Sequence, residues 1–337
     1  MKKRFIYVQA GLLILILLAA QSPLQAYEKL AQSGFQYLSV ISDGHAAALG
    51  GALTARELGS SSLFFNPASM ARMKTHFDIT ASLNEWIGDI KHHTFSLAFR
   101  PGHGQYGVLG FTYQTVEYGK VEGTVVADNE AGYIDTGIIE PTAMAAGIGY
   151  AKTITDRFSV GGQIRYLEQD LGESIIPATL SLTDTVTGEV SNKLNPLAFD
   201  FGTMYLTDLK GLAFAMSIRN FSSEIQYVTE GFEIPLVFTM GVSMDLMNLL
   251  PETGLDQSAI LSIDASHYRS HAEQIKIGLD YTLLKMLSLR LGYVSNADEE
   301  SFSYGVGFSK LGLTVDYAYT PYGLFNNIQR MTVRFAL

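Results

Sequence analysis

From residue 75 to its end, the chain alternates between apolar and polar residues in segments of about ten residues. In one segment Ile275, Ile277 and Leu279 share one face, and Lys276 and Asp280 share the other. Successive side chains of a β-strand point to opposite sides, so a repeat of two predicts strands with one apolar and one polar face. The fourteen predicted strands cover residues 75–85, 92–100, 106–118, 142–152, 157–168, 197–206, 211–220, 235–245, 258–268, 273–283, 286–294, 301–309, 311–319 and 328–337.

The length and the chemistry of these strands favour a membrane over water. Each is near the roughly 9–11 residues with which a tilted strand crosses a bilayer. Charged residues stay on the polar face, because a charge facing lipid near the midplane costs about 2–4 kcal/mol. A soluble sandwich of two sheets also alternates, but its strands are usually shorter, at about 5–6 residues. Aromatic residues end the apolar rows, as in interfacial girdles; these are Tyr150, Tyr166, Tyr281, Tyr293 and Tyr319.

The connections between the predicted strands sort by length. If the first strand runs outward from the periplasm, every second connection faces the periplasm, and all but residues 246–257 are short. The outer connections include three long polar segments, residues 119–141, 169–196 and 221–234. Short periplasmic turns and long outer loops are typical of bacterial outer-membrane barrels. We therefore predict an all-β fold, a 14-stranded antiparallel transmembrane β-barrel.

The start of the chain predicts export. Lys2, Lys3 and Arg4 precede an apolar run over 10–20, and Ala26 is a small residue at the expected cleavage position, so residues 1–26 have the pattern of a signal peptide. An N-terminal membrane anchor is the weaker alternative, because the run is shorter than the roughly 20 residues of a spanning helix. The chain has no Cys, which avoids wrong disulfides in an oxidising compartment. We expect a location in the Gram-negative outer membrane.

Residues 27–74 have no place in the predicted wall of residues 75–337. A barrel of fourteen strands is too wide for its own side chains to fill. The apolar side chains of this segment, such as Leu53, Leu63 and Phe65, favour burial inside the lumen as a small N-terminal hatch or plug. A free periplasmic tail is the alternative.

Four residues form the predicted plug motif. Gly50 and Gly51 interrupt a stretch over 46–58 that otherwise has a helical pattern. Asn66 and Pro67 predict a turn, with Asn66 able to cap and Pro67 able to start a short helix that runs to residue 73.

The last strand carries Met331, Val333, Phe335 and Leu337 on its apolar face. An alternating terminal strand with an aromatic residue near its end is similar to the signal read by the barrel-insertion machinery, although Phe335 is third from the end rather than last. Pairing this strand with the first would close the barrel and remove both unpaired edges.

Composition and charge limit the remaining functions. The formal charge of −10 becomes −13 without the three signal cations, and no Lys/Arg cluster is present, so nucleic-acid binding is not expected. There is no Gly-x-Ser-x-Gly nucleophile elbow. We predict that the protein is not an enzyme and binds no cofactor or metal. We expect outer-membrane lipid to contact its outer surface.

Several segments, in a fixed order, resemble the PorV/PorQ family of outer-membrane proteins, which is related to FadL-type transporters of hydrophobic compounds. One difference is Arg56-Glu57-Leu58-Gly59, where the family tends to carry acidic residues. The matching segments are AALGGALTARELGSSSLFFNPASMARM at 47–73, NEW at 84–86, YGKVEGT at 118–124, TDRFSVGGQIRY at 155–166, RNF at 219–221 and VDYAYTPYG at 315–323.

The resemblance implies a fourteen-stranded barrel with an N-terminal hatch and a role in type IX protein secretion. In that role the barrel would bind secreted cargo or secretion machinery at the cell surface. The alternative is a FadL-like passive transporter that moves hydrophobic small molecules across the outer membrane, with the plug gating the lumen.

Overall fold

The computed structural model describes residues 33–126, 129–177, 187–227, 231–251, 254–270, 272–297, 301–323 and 327–337. The predicted signal peptide, 1–26, and the first predicted plug positions, 27–32, lie outside these residues. Within the described residues, no helix combines the length and apolar character needed to cross a membrane.

Fourteen strands form a closed antiparallel wall, in the order β1, β2, β3, β6, β7, β9, β10 and then β13 through β19, which pairs back onto β1. The predicted 14-stranded barrel is therefore confirmed. The strands of the described residues are β1 (Phe77–Glu85), β2 (Lys91–Phe99), β3 (Val108–Glu117), β4 (Val121–Val126), β5 (Tyr133–Ile139), β6 (Thr142–Thr153), β7 (Phe158–Pro177), β8 (Thr187–Leu194), β9 (Leu197–Leu206), β10 (Ala213–Phe221), β11 (Ile225–Gln226), β12 (Gly231–Phe232), β13 (Val237–Asp245), β14 (Gln257–Tyr268), β15 (Gln274–Leu283), β16 (Leu287–Val294), β17 (Phe302–Lys310), β18 (Leu313–Thr320) and β19 (Ile328–Ala336).

The two faces of the wall differ as the alternation predicts. Leu289 and Val306 point outward and are 60% and 52% exposed, whereas Arg290 and Asp316 point inward and are 5% and 2% exposed. An apolar outer face suits contact with lipid chains, and the inward charges are removed from that face.

The two ends of the barrel also differ. One end, here called the turn end, carries the short connections such as 154–157 and 311–312, together with the start of β1 and the end of β19. The other end, the loop end, carries the long connections. Three of these contain strands that the sequence did not predict: β4 and β5 form a hairpin, β7 continues beyond the wall to pair with β8, and β11 pairs with β12. Pairing of loop strands satisfies their backbone N–H and C=O groups. It does not require one face to be apolar, so the alternation in the sequence gives no signal for these strands.

Candidate functional site: the plugged lumen

Residues 33–73 run through the inside of the barrel. The segment begins at the loop end, where the Gly34 amide donates to the Glu233 carbonyl over 3.2 Å. It reaches the turn end at Arg72, whose guanidinium donates to the Asp156 carbonyl over 3.1 Å. Between these ends it contacts strands on opposite sides of the wall, which only a segment in the lumen can do. We call residues 33–73 the plug.

The plug is built from short helices separated by turns. Helix α1 (Gly44–Ala48) is capped by Asp43, whose carboxylate accepts from the Ala46 amide over 3.0 Å. The helix ends at Ala48, and the following Gly50 and Gly51 take left-handed backbone angles, φ 61° and 76°, that reverse the chain. Further 3₁₀ helices cover Gln36–Ser39, Gly59–Phe64 and Pro67–Arg72.

Asn66 joins the plug to the wall. Its side-chain oxygen accepts from the Ala68 amide over 3.0 Å and caps the helix that Pro67 starts. Its side-chain nitrogen donates to the Thr54 carbonyl over 2.8 Å and to the Thr203 carbonyl of β9 over 3.1 Å. Asn66 is fully buried, so replacing it would leave these backbone carbonyls without their donor.

Inward-facing glycines of the wall let the plug approach the strands. A Cβ atom at Gly202 would lie 1.8 Å from the Asn66 side-chain oxygen, and one at Gly292 would lie 2.2 Å from the Gly50 amide nitrogen. Any side chain at these positions would therefore push the plug away. The wall glycines whose Cβ would come within 3 Å of a plug atom include Gly110, Gly149, Gly161, Gly202, Gly241, Gly278, Gly292 and Gly305.

A buried ion cluster holds the plug to β15, β16 and β18. Arg56 and His45 of the plug approach Asp280 of β15 over 2.8 and 3.4 Å. Arg290 of β16 links Asp280 and Asp316 over 3.2 and 2.6 Å. Burial lowers the pKa of the Arg56 guanidinium, and the Asp280 carboxylate opposes that shift. Since arginine stays protonated in proteins, the contact is a charge-assisted one.

A second buried carboxylate fixes the plug in the neighbouring part of the wall, where β19 lies between β18 and β1. Asp78 of β1 is fully buried and accepts from both the amide and the hydroxyl of Ser60, over 2.9 and 2.7 Å. Arg334 of β19 neutralises it over 2.7 Å. The same carboxylate therefore links the plug to the seam where the last strand meets the first.

Two cavities lie at the loop end, above the closely packed part of the plug. They have volumes of about 330 and 380 Å³ and share Gln36 and Val40 of the plug and Trp86 of the wall end. Trp86 is the single Trp of the chain, and it contacts Tyr322 edge-to-face with ring centres 5.5 Å apart. Both volumes fall within the range of small-molecule sites.

The smaller of the two is the aromatic cavity. Burial raises the pKa of Tyr118 to about 12 and raises that of Tyr37 as well, so both hydroxyls are uncharged at neutral pH. The larger one, the polar cavity, is lined by Lys276 and Arg330 among others. The side chains that characterise the aromatic cavity are Phe35, Tyr37, Trp86, Ile90, Tyr118, Leu171 and Tyr227.

Of the predicted C-terminal residues, Met331, Val333 and Phe335 lie on the outer face of β19, the strand that closes the wall, and Leu337 directly follows that strand. Met331, Val333, Phe335 and Leu337 are 51%, 37%, 41% and 63% exposed, as expected for side chains that face lipid. Within the described residues, no three His, Asp or Glu side chains gather as a metal site would require.

The sequence suggested four plug-motif residues but none of their partners in the wall. Gly50, Gly51, Asn66 and Pro67 all lie at plug–wall contacts. The Asp280 cluster and the two cavities were not predicted. The sequence did contain a signal for the plug–wall contacts. Glycines recur on the strand faces that the alternation assigns to the lumen, and these are the positions where the plug can approach the wall.

Comparison with known proteins gives a likeness of fold. No protein-family model and no curated protein matches the chain. Among solved structures, the CymD monoaromatic hydrocarbon channel is similar with a TM-score of 0.58 and 11% identity, over 88% of this chain and 97% of that one. The toluene transporter TodX of Pseudomonas putida has a TM-score of 0.55 and 13% identity, over 86% and 95%. A FadL homologue of Pseudomonas aeruginosa has a TM-score of 0.54 and 10% identity, over 88% and 99%. The chain therefore has the fold of FadL-like barrels.

Proposed function

We propose that this protein is a passive channel through which hydrophobic small molecules cross the Gram-negative outer membrane. In this proposal the signal peptide directs export, the C-terminal strand engages the barrel-insertion machinery, and the loop end faces the outside of the cell. The protein is not an enzyme. The plug blocks free diffusion and must shift for a ligand to pass.

The aromatic cavity carries the proposal. Aromatic and aliphatic side chains with uncharged hydroxyls line a space of about 330 Å³ at the loop end, where a ligand would arrive. Apolar lining with few polar groups is typical of sites for small hydrophobic molecules. The fold shared with two barrels described as a monoaromatic hydrocarbon channel and a toluene transporter supports the channel more than the secretion role.

The single Trp of the chain provides the test. Trp86 lines the aromatic cavity, so 1-nitronaphthalene, an apolar quencher, should quench its fluorescence along a saturable curve in the purified protein. Leu171→Asp places a charge in the cavity wall and should abolish saturation. Leu209→Asp, an exposed leucine at the turn end, is the matched control. Non-saturable quenching that is equal in all three proteins would refute the channel.

A second candidate is the role in type IX secretion that the sequence resemblance implies. One observation favours it: the hairpin of β4 and β5 at the loop end exposes large apolar side chains. Val126, Tyr133, Ile134 and Ile138 are 89%, 51%, 54% and 64% exposed. Such side chains in a protruding hairpin are typical of a protein-binding surface.

Replacing residues 121–139 by a short turn tests this candidate. Recovery of secretion components or secreted cargo with the tagged wild-type barrel, and their loss with the shortened variant, would support it. The same components recovered with both proteins would exclude the hairpin as the binding surface, and recovery with neither would remove the secretion role.

A further inference from the structure

A small cavity of about 50 Å³ lies between the middle of the plug and the wall. Ser42 and the Phe64 region of the plug line one side, and Arg219 of β10, Tyr268 of β14 and Lys276 of β15 line the other. The volume is enough for one or two water molecules or for one small ion. It shares Tyr268 and Lys276 with the polar cavity, but none of the side chains that characterise the aromatic cavity line it.

Two cations that face this cavity have neutral partners. The Lys276 ammonium donates to the Tyr268 hydroxyl over 2.7 Å and lies 5.3 Å from the centre of its ring. The Arg219 guanidinium donates to the Phe64 carbonyl and lies 5.9 Å from the ring centre of Phe65. Among the described residues, ion pairs within 4 Å involve neither cation.

The carboxylates near the cavity have other partners. Asp200 pairs with Arg165 over 2.8 Å and accepts from the Asn220 amide over 2.7 Å. Asp43 is occupied by the Ala46 amide and the Ser61 hydroxyl, each over 3.0 Å.

Asp264 is the third carboxylate of this region. It lies opposite Lys276 in the strand register but accepts from the Thr54 amide over 2.9 Å, and it does not line the cavity. Asp43 and Asp200 do line the cavity, but the three cations Arg165, Arg219 and Lys276 outnumber these two carboxylates by one.

A buried cation is costly unless a counter-charge and hydrogen bonds accompany it. Arg219 cannot relieve this cost by losing its proton. Lys276 is only 7% exposed and uses one of its three donors in the hydrogen bond to Tyr268. Ser42 is 5% exposed, and its hydroxyl has no hydrogen-bond partner although it lines the cavity. Three donor groups from opposite sides of the plug–wall boundary thus converge on one small space.

We propose that this cavity binds a small monovalent inorganic anion of the size of chloride. Arg219 and Lys276 supply the charge from the wall, and Ser42 supplies a hydroxyl from the plug. Because the donors come from both sides, the anion connects the plug to β10 and β15. Its binding should stabilise the seated plug, since a ligand that binds only the native state adds to its stability.

Bromide, which scatters anomalously, is the probe. Crystals of the full chain grown in sodium bromide should show an anomalous peak within hydrogen-bond distance of Lys276 Nζ and the Arg219 guanidinium. Lys276→Met should remove the peak. Lys285→Met is the matched control, because Lys285 is an exposed lysine at the turn end, 81% exposed in its side chain. Water alone in the cavity, or bromide only at the outer surface, would overturn the proposal.

If a variant does not crystallise, thermal unfolding in solution tests the same proposal. The thermal midpoint of the wild-type protein should be higher in sodium bromide than in sodium gluconate at equal ionic strength, because gluconate is too large for the cavity. Lys276→Met should lose that difference and Lys285→Met should keep it. Equal midpoints of the wild-type protein in the two salts would contradict an anion site.

Discussion

The plug meets the wall in two different ways along its length. From the middle of the barrel to the turn end, inward glycines such as Gly161 and Gly202 bring the plug backbone against the strands, and buried carboxylates hold it there. At the loop end, spaces of about 330 and 380 Å³ remain beside the plug, and Trp86 is among the side chains that line both. Inward glycines therefore allow the plug to seal the lumen, and the spaces in which a ligand could fit lie at the loop end.

The sealed part of the lumen and the loop end also differ in the charges that they bury. In the sealed part, Asp280 and Asp78 are paired across the plug–wall boundary with charged or hydroxyl groups. The aromatic cavity offers uncharged hydroxyls instead. Removing a partner from a buried pair is costly because the remaining charge stays buried. Substitutions in the sealed part should therefore affect stability, and substitutions at the loop end should affect binding.

Removal of the plug should have the largest effect. Without residues 27–73 the lumen of a fourteen-stranded barrel would be open, and single-channel conductance in a planar bilayer should rise from near zero to a steady open level. Heat-dependent mobility on gels would check that the shortened chain still forms a barrel. A folded barrel with unchanged conductance would mean that residues other than the plug seal the lumen.

Breaking the buried ion cluster should have the next largest effect. Asp280→Asn leaves Arg56 and Arg290 without their shared carboxylate and should lower the free energy of unfolding by about 3–5 kcal/mol. Denaturant titration in lipid vesicles measures this. Asp256→Asn is the control, since Asp256 pairs with Lys285 at the exposed turn end and should change stability little. Equal losses in both variants would contradict a special role for the cluster.

Filling the gap at a wall glycine should have a smaller effect. Gly202→Ala places a methyl group 1.8 Å from the Asn66 side-chain oxygen, so the plug must shift. Overpacking of this kind usually costs about 1–3 kcal/mol. Gly162→Ala is the matched control, because its nearest neighbours would lie at ordinary distances of 3.4 and 3.5 Å. Thermal midpoints of the two variants would compare them, and an equal shift in both would argue against close packing at Gly202.

The wall was predictable because membrane and lumen impose opposite demands on alternate residues. The prediction over 197–206 matches β9 (Leu197–Leu206) in both bounds. Loop-end strands such as β4 and β8 were missed, since hairpins outside the membrane have no such requirement.

The contacts of the plug could not be predicted from a repeat of two. Arg56 and Asp280 are separated by 224 residues, and their meeting depends on how the plug is rotated in the lumen. The helix of this segment ends at Ala48, and Gly50 and Gly51 then reverse the chain. Local sequence patterns predicted the turns at Gly50 and Asn66. The wall residues that these turns contact could be identified only from the closed barrel.

The smallest effect on stability is expected at the loop end, where the change should appear in binding instead. Leu171 lines the aromatic cavity and is 40% exposed, so Leu171→Ala should alter the free energy of unfolding by less than about 0.5 kcal/mol. The variant removes apolar contact area from the cavity, and the affinity for 1-nitronaphthalene should fall about three- to tenfold.

Quenching of Trp86 and denaturant titration on the same preparation separate the two quantities. Leu209→Ala is the matched control, because Leu209 is an exposed leucine at the turn end and should change neither. If Leu171→Ala instead destabilised the protein as much as Gly202→Ala, the loop end would be part of the seal, and the division of the lumen into a sealed half and a binding half would be wrong.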